Sequence, residues 1–231
     1  EFKTDYVNAK GHNVVYTIEK EATDTEFGIK SKSCSDCDYT EESFEYVNNG
    51  FPTHGALHVT GIDLMDSHNK KVRLAGVSTF GLQWQPEYVN YETFENLKNE
   101  FGANVVRLAM YTGEGGYCSS EAMKQKMYDT VVKGINIATE LDMYVIVDWH
   151  MLGVDEGDNN PLTHLEESKE FFDKITKQFK NSKNILFEIM NEPCYVDWAD
   201  CKKYALEVID MKTKPLRERV KEVLNMVGLQ D

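Results

Sequence analysis

Short apolar runs alternate along this chain with longer stretches of helical periodicity, and that alternation limits the available folds more than any other feature. Val72–Val77, Asn104–Met110, Met143–Asp148 and Asn184–Ile189 read as strands. Their apolar residues follow one another rather than alternating with polar ones, the pattern of strands covered on both faces. Between them, Tyr91–Phe101 sets Phe94, Leu97 and Phe101 on one helical face. Ser119 or Ser120 caps a helix running to about Leu141, with Glu121 in its first turn. Leu165–Phe179 forms a third helix with Phe171, Phe172, Ile175 and Phe179 facing the core, and Asp197 to about Ile209 a fourth. Four strand–helix repeats imply an α/β fold with a parallel sheet. A doubly wound sheet and a (β/α)8 TIM barrel both fit this alternation. No G-x-G-x-x-G or phosphate loop follows any strand, which weakens the nucleotide-binding choice.

Ahead of the repeats, Leu57–Thr60 and Ile62–Met65 read as two short strands about Gly61, followed by a turn at Asp66–Asn69. A boundary near Phe51-Pro52 divides the chain into residues 1–50 and 51–231. In the first part His12–Ile18 has strand character. Glu19–Ser43 is acidic and rich in Ser, Thr and Asp, and reads as a linker or a partial upstream module. The net charge of −14 over 231 residues repels nucleic-acid backbones and anionic membranes and suits a neutral partner. There is no apolar run of about 18 residues and no signal-peptide pattern at the start. Five cysteines are too few for a disulfide scaffold of this size. Cys34 and Cys37 lack the second ligand pair that zinc requires and read as an exposed disulfide or free thiols. Cys118 stands alone, and Cys194–Cys201 is a reasonable disulfide in a secreted chain.

Polar and aromatic residues cluster just past the strand ends: Trp84, Tyr111, His150, Asn191 and Glu192. In a barrel that is the catalytic face. Pro193 ends the last ladder. Glu192 reads either as a general acid at a barrel mouth or as a solvated loop glutamate. Asp148 and His150 share one face by the strand's period of two, and His150 is either part of a site or a hydrogen-bonded core histidine. Arg107, inside an apolar strand, needs an anionic partner; a catalytic carboxylate and Asp148 are the candidates. Trp84 and Tyr111 fit either packing or stacking against a pyranose ring, which needs no charge complementarity.

Together, Gly81-Leu82-Gln83-Trp84, Asn90-Tyr91-Glu92, Asn104–Tyr111, Tyr144–His150 and Ile189–Pro193 resemble family 5 glycoside hydrolases, and within them the subfamily 2 endoglucanases. The resemblance runs from about Gly50 to Ile209, with five motifs in order, and the hairpin from His54 to Leu74 is similar to that subfamily's cap beneath the barrel. It implies a retaining endo-β-1,4-glucanase acting on cellulose or related β-glucans through a covalent glycosyl-enzyme. Glu192 would be the acid/base and Asn191 would bond the sugar 2-OH. Arg107 would hold the nucleophile ionised and His150 would line the cleaved sugar's subsite. Tyr111 would sit close by, with Trp84 and Trp149 as further substrate contacts. That chemistry needs neither metal nor organic cofactor, and a polymeric substrate implies a secreted protein.

Two departures stand out. Phe80 occupies a position where the subfamily has a histidine, and cannot donate a hydrogen bond to a sugar hydroxyl. The family's nucleophile is a glutamate at the end of the seventh strand, whereas four β/α units are legible here; Lys214–Gly228 reads as another amphipathic helix. The expectation is therefore a barrel truncated to about four units, an incomplete endoglucanase lacking its nucleophile. The alternative is a non-catalytic β-glucan-binding half barrel. Open sheet edges would favour self-association.

Overall fold

The computed structural model describes residues 14–21, 28–40, 43–46, 50–152 and 159–209. The chain divides into two units, 1–49 and 50–231.

In the first unit, β1 (Val14–Lys20) pairs antiparallel with β2 (Gly28–Cys34), from Val14 opposite Cys34 to Lys20 opposite Ile29, with a bulge between Ile18 and Lys20. β3 (Phe44–Tyr46) pairs with the other edge of β2. The stretch expected to be a linker thus contains a central strand. Lys30 concealed it: this residue is 6% exposed and lays its ammonium over the Tyr16 ring, 4.9 Å from the centroid. A charge at an inward position breaks the alternation by which a half-buried strand is recognised.

The second unit begins with a single helical turn, α1 (Phe51–His54). The Phe51 N–H donates to the Asp142 carbonyl, and the Tyr144 hydroxyl donates to Gly55 O at 2.7 Å. β4 (His58–Thr60) and β5 (Asp63–Met65) form the expected hairpin, turning at Gly61 with φ +61°. The turn after it is built on Asp66, which is 1% exposed. Its Oδ1 accepts from the His68 and Lys70 N–H groups, and its Oδ2 lies 3.2 Å from His54 Nδ1.

The remaining strands and α-helices are β6 (Gly76–Ser78), α2 (Tyr91–Phe101), β7 (Val105–Tyr111), α3 (Glu121–Glu140), β8 (Tyr144–His150), α4 (Leu165–Gln178), β9 (Ile185–Glu188) and α5 (Trp198–Ile209). The sheet order is β6-β7-β8-β9 with every pair parallel, so the alternation read from the sequence does build a parallel sheet. β6 starts later than expected. The Asn104 side chain accepts from the Ala75 N–H and donates to Arg73 O, so the backbone before Gly76 finds its partners in a side chain rather than a strand. The helix expected at 214–228 lies outside the described residues.

Helix boundaries follow their caps. Asn90 accepts from the Thr93 N–H, Ser120 accepts from the Met123 N–H, and α2 ends at Gly102 with φ +66°. Lys98 Nζ donates to Leu141 O at 2.7 Å, closing the end of α3. Period two divides each strand between two faces. Val106, Leu108 and Met110 of β7 and Val145, Val147 and Trp149 of β8 join one core with Phe94, Met127, Val131, Ile135, Phe171 and Ile175 of the helices. At Gly134 α3 meets the sheet closely: a Cβ there would lie 2.7 Å from Leu108 Cδ1.

The opposite face is polar where the register stacks it. Ser78 pairs with Arg107 and Arg107 with Ile146; Ala109 pairs with Asp148 and Asp148 with Glu188; Tyr111 pairs with His150 at the strand ends.

Candidate active site at the strand ends

Arg107 is the hub of this face. Its Nε and Nη2 donate to Glu188 Oε2 and Oε1 at 2.8 and 2.7 Å, a bidentate pair. Nη2 also reaches Asp148 Oδ2 and Asn191 Oδ1, each at 2.9 Å, and Nη1 donates to Ser78 Oγ at 3.2 Å. The two hydrogens of Nη2 thus go to Glu188 and Asn191, with Asp148 held beside them as an ion-pair partner. The bond to Glu188, more than any other interaction, holds the Arg107 pKa above its ordinary value. Asp148 is fully buried, and burial pushes its carboxyl up despite the opposing pull of His150 and Arg107. Its Oδ2 lies 2.6 Å from His150 Nδ1, and its Oδ1 is buried without a partner.

Asn191 is 5% exposed and held at both ends of its amide. Oδ1 accepts from Arg107, Nδ2 donates to Met151 O at 2.9 Å, and Nδ2 lies 3.4 Å from His150 Nε2. The Tyr204 hydroxyl of α5 donates to Ile189 O, and Asn159 Nδ2 donates to Cys194 O, both at 2.8 Å, so the segment carrying Glu192 is tied on either side. Glu192 itself is exposed, with a backbone φ of +27°, a region that side chains rarely adopt and that surrounding contacts must impose.

Aromatic rings continue the face outward. Past β6 the chain still tracks β7: the Thr79 N–H donates to Arg107 O and the Leu82 N–H to Ala109 O. This brings Trp84 to Tyr111, with ring centroids 4.8 Å apart. Tyr111 stacks on His150 at 4.1 Å and 27°, and Phe80 leans on Trp84 at 4.9 Å. Trp84 is 41% and Phe80 61% exposed. Desolvation is the largest cause of the raised Tyr111 hydroxyl pKa.

Of the residues singled out from the sequence, Arg107, His150, Asn191, Tyr111 and Trp84 thus lie in one connected cluster, with Glu192 directly after Asn191. Trp149 does not. It points to the other face of β8, is 0% exposed and packs on Tyr117 and Phe171; it is a core residue, because period two cannot send neighbours to one side. Glu188 and Ser78 were missed. Glu188 is an acid inside an apolar strand, a signal comparable to Arg107 itself, but their pairing depends on register across two neighbouring strands. The carboxylates that pair with Arg107 among the described residues are Glu188 and Asp148. Cys194 and Cys201 are free thiols, not the disulfide expected. Among the described residues, no three His, Cys, Asp or Glu side chains converge as a metal site, and no helix is long and apolar enough to cross a membrane.

Residues 65–212 match the family model described as cellulase, glycosyl hydrolase family 5. An endoglucanase of Clostridium saccharobutylicum is 41% identical over 157 residues, covering 67% of this chain and 34% of that protein. A cellulase of a Thermoanaerobacterium species is 37% identical over 218 residues, covering 87% of this chain and 54% of the relative. The chain therefore spans from about a third to about half of the length of these relatives. The catalytic domain of an endoglucanase from Thermobifida fusca, solved in complex with cellotetraose, superposes with a TM-score of 0.64 at 36% identity, over 69% of this chain and 50% of that one.

Proposed function

The chain belongs to the cellulase family, glycosyl hydrolase family 5, its parallel sheet being part of a (β/α) barrel, and on that premise we propose that the strand-end cluster is glucan-cleaving machinery of a retaining endo-β-1,4-glucanase. The observation that carries this reading is the placement of exposed Glu192 directly after Asn191, whose amide Arg107 and Met151 O hold in one orientation. Glu192 protonates the leaving glycosidic oxygen, and Asn191 bonds the sugar 2-OH by turning to it the Nδ2 hydrogen that otherwise faces His150 Nε2 at 3.4 Å, a contact that strengthens in the transition state. His150 and Tyr111 line the cleaved sugar's subsite, and Trp84 stacks on a neighbouring ring. Retention also needs a nucleophilic carboxylate about 5–5.5 Å from the acid. Asp148 and Glu188 are both ion-paired with Arg107, and this reading gives that role to neither.

The substrate class is an uncharged β-glucan, in keeping with the acidic chain and with the cellotetraose bound by the Thermobifida relative. An insoluble polymer as substrate places the protein outside the cell, in polysaccharide breakdown. Nucleic acids and anionic membranes are not its partners.

The test is a cellotetraose titration read by tryptophan emission, with reducing-sugar release from carboxymethyl-cellulose and barley β-glucan alongside. Trp84→Ala is expected to weaken binding about 10-fold, and Glu192→Gln to abolish whatever sugar release the unaltered chain shows. Absence of saturable binding by the unaltered chain would overturn the reading. Binding without hydrolysis, unchanged in Glu192→Gln, would favour the non-catalytic glucan binder, for which the capture of both neighbouring carboxylates by Arg107 is the specific observation.

A further inference from the structure

We propose that Asp148 is a positioning residue: it fixes the neutral His150 ring as the Nδ1–H tautomer, and thereby presents the one Nε2 lone pair to the facing Asn191 N–H. The inference deepens the site assigned above and rests on that reading for its ligand.

It follows from which atoms can donate. Arginine only donates, so the Asn191 atom 2.9 Å from Arg107 is the amide oxygen. A backbone carbonyl only accepts, so the atom 2.9 Å from Met151 O is the amide nitrogen. The Asn191 amide therefore has one orientation, and the atom facing His150 Nε2 at 3.4 Å is an N–H donor. That contact is favourable only if Nε2 carries a lone pair. The proton then belongs to Nδ1, which lies 2.6 Å from Asp148 Oδ2. Asp148 Oδ2 also forms an ion pair with Arg107 Nη2 at 2.9 Å, so Arg107, Asp148, His150 and Asn191 make one closed cluster in which each hydrogen bond has one possible direction. A hydrogen on Nε2 instead would set two N–H groups against each other at Asn191 and leave Nδ1 facing a carboxylate lone pair to lone pair.

Asp148 is placed to act through His150 and not on a ligand. It is 0% exposed and lies two residues before His150 on the same face of β8, farther from the strand end. Histidine orientation by an acceptor on the far ring nitrogen is a general device for fixing a tautomer. What this chain adds is that the same carboxylate oxygen serves Arg107, so one buried group sets the imidazole and restrains the guanidinium that holds Asn191.

The experiment is long-range ¹H–¹⁵N correlation spectroscopy of the imidazoles in the full ¹⁵N-labelled chain at pH 8, above the ordinary titration range of histidine. His150→Gln assigns the His150 signal among the six histidines. The expected result is a protonated Nδ1 and a bare Nε2 in the unaltered chain. Asp148→Asn keeps this pattern, because its amide oxygen can take the shared Oδ2 position. Asp148→Ala loses it, giving a protonated Nε2 or a mixture. A protonated Nε2 in the unaltered chain overturns the proposal, and so does an unchanged Nδ1–H signal in a folded Asp148→Ala. Should Asp148→Ala not fold, Asp148→Asn decides: a switch to Nε2–H there also counts against it. Cellotetraose titration separates this from the functional reading. Binding is expected to fall about tenfold in Asp148→Ala and to recover in Asp148→Asn. Failure of the unaltered chain to bind defeats the glucanase reading while leaving the tautomer result standing.

Discussion

Arg107 gathers two carboxylates and an amide oxygen onto one guanidinium, and no lysine can do the same. Arg107→Lys keeps the charge but loses the planar fork that meets Glu188 twice. It is expected to cost about 2 kcal/mol, below the range for fully buried pairs because Arg107 and Glu188 are partly exposed; urea unfolding measures it. Asp148 has the opposite leaning, since burial raises its pKa. The folded state then holds its proton more tightly than the unfolded one. This group's contribution to stability is greatest below the unfolded value of about 4 and declines as pH rises through the folded one. Asp148→Asn is expected to flatten that decline in unfolding free energies measured from pH 4 to 8. The same residues show what one sequence discloses. Parity along a strand placed Asp148 with His150, and applied once more it would have sent Trp149 to the helix side. The Arg107–Glu188 pair was not legible, because it depends on how β7, β8 and β9 align, and register is a property of three strands together.

Elements were legible where apolar pattern and caps agree. β7, β8 and β9 announce themselves as apolar runs, and α2 and α3 begin at the capping residues Asn90 and Ser120. β2 was lost because Lys30 occupies an inward position, and β6 was displaced because Asn104 takes up the backbone before it. Two elements carry predictions of their own. The turn after β5 hangs on Asp66, whose pKa is lowered to about 2, chiefly by the Lys70 N–H. Its contribution is therefore complete above the unfolded value of about 4 and fades as pH falls toward 2. The stability difference between the unaltered chain and Asp66→Ala should narrow over that interval in thermal melts. At Gly134 a methyl would enter the space of Leu108 in the sheet centre. Gly134→Ala, though a better helix former, is expected to lose about 2 kcal/mol by overpacking, read as a lower denaturant midpoint at unchanged slope.

At the scale of the whole molecule, the described sheet ends in β6 on one side and β9 on the other, with Val77 47% and Phe187 39% exposed. We propose that these edges associate, against the repulsion of a net charge of −14. Light scattering is expected to show a mass that grows with concentration and with added salt, and Phe187→Lys to reduce it; a constant monomer mass in high salt would dismiss the idea. The strained backbone at Glu192 has a further consequence, which concerns heredity more than structure. A lineage selected for heat resistance alone would exchange this glutamate for glycine or asparagine, residues at ease with φ +27°. One selected for a carboxyl at this position would keep it and tolerate the strain. The identity of residue 192 across descendants of this chain would therefore record which of the two pressures each had been under.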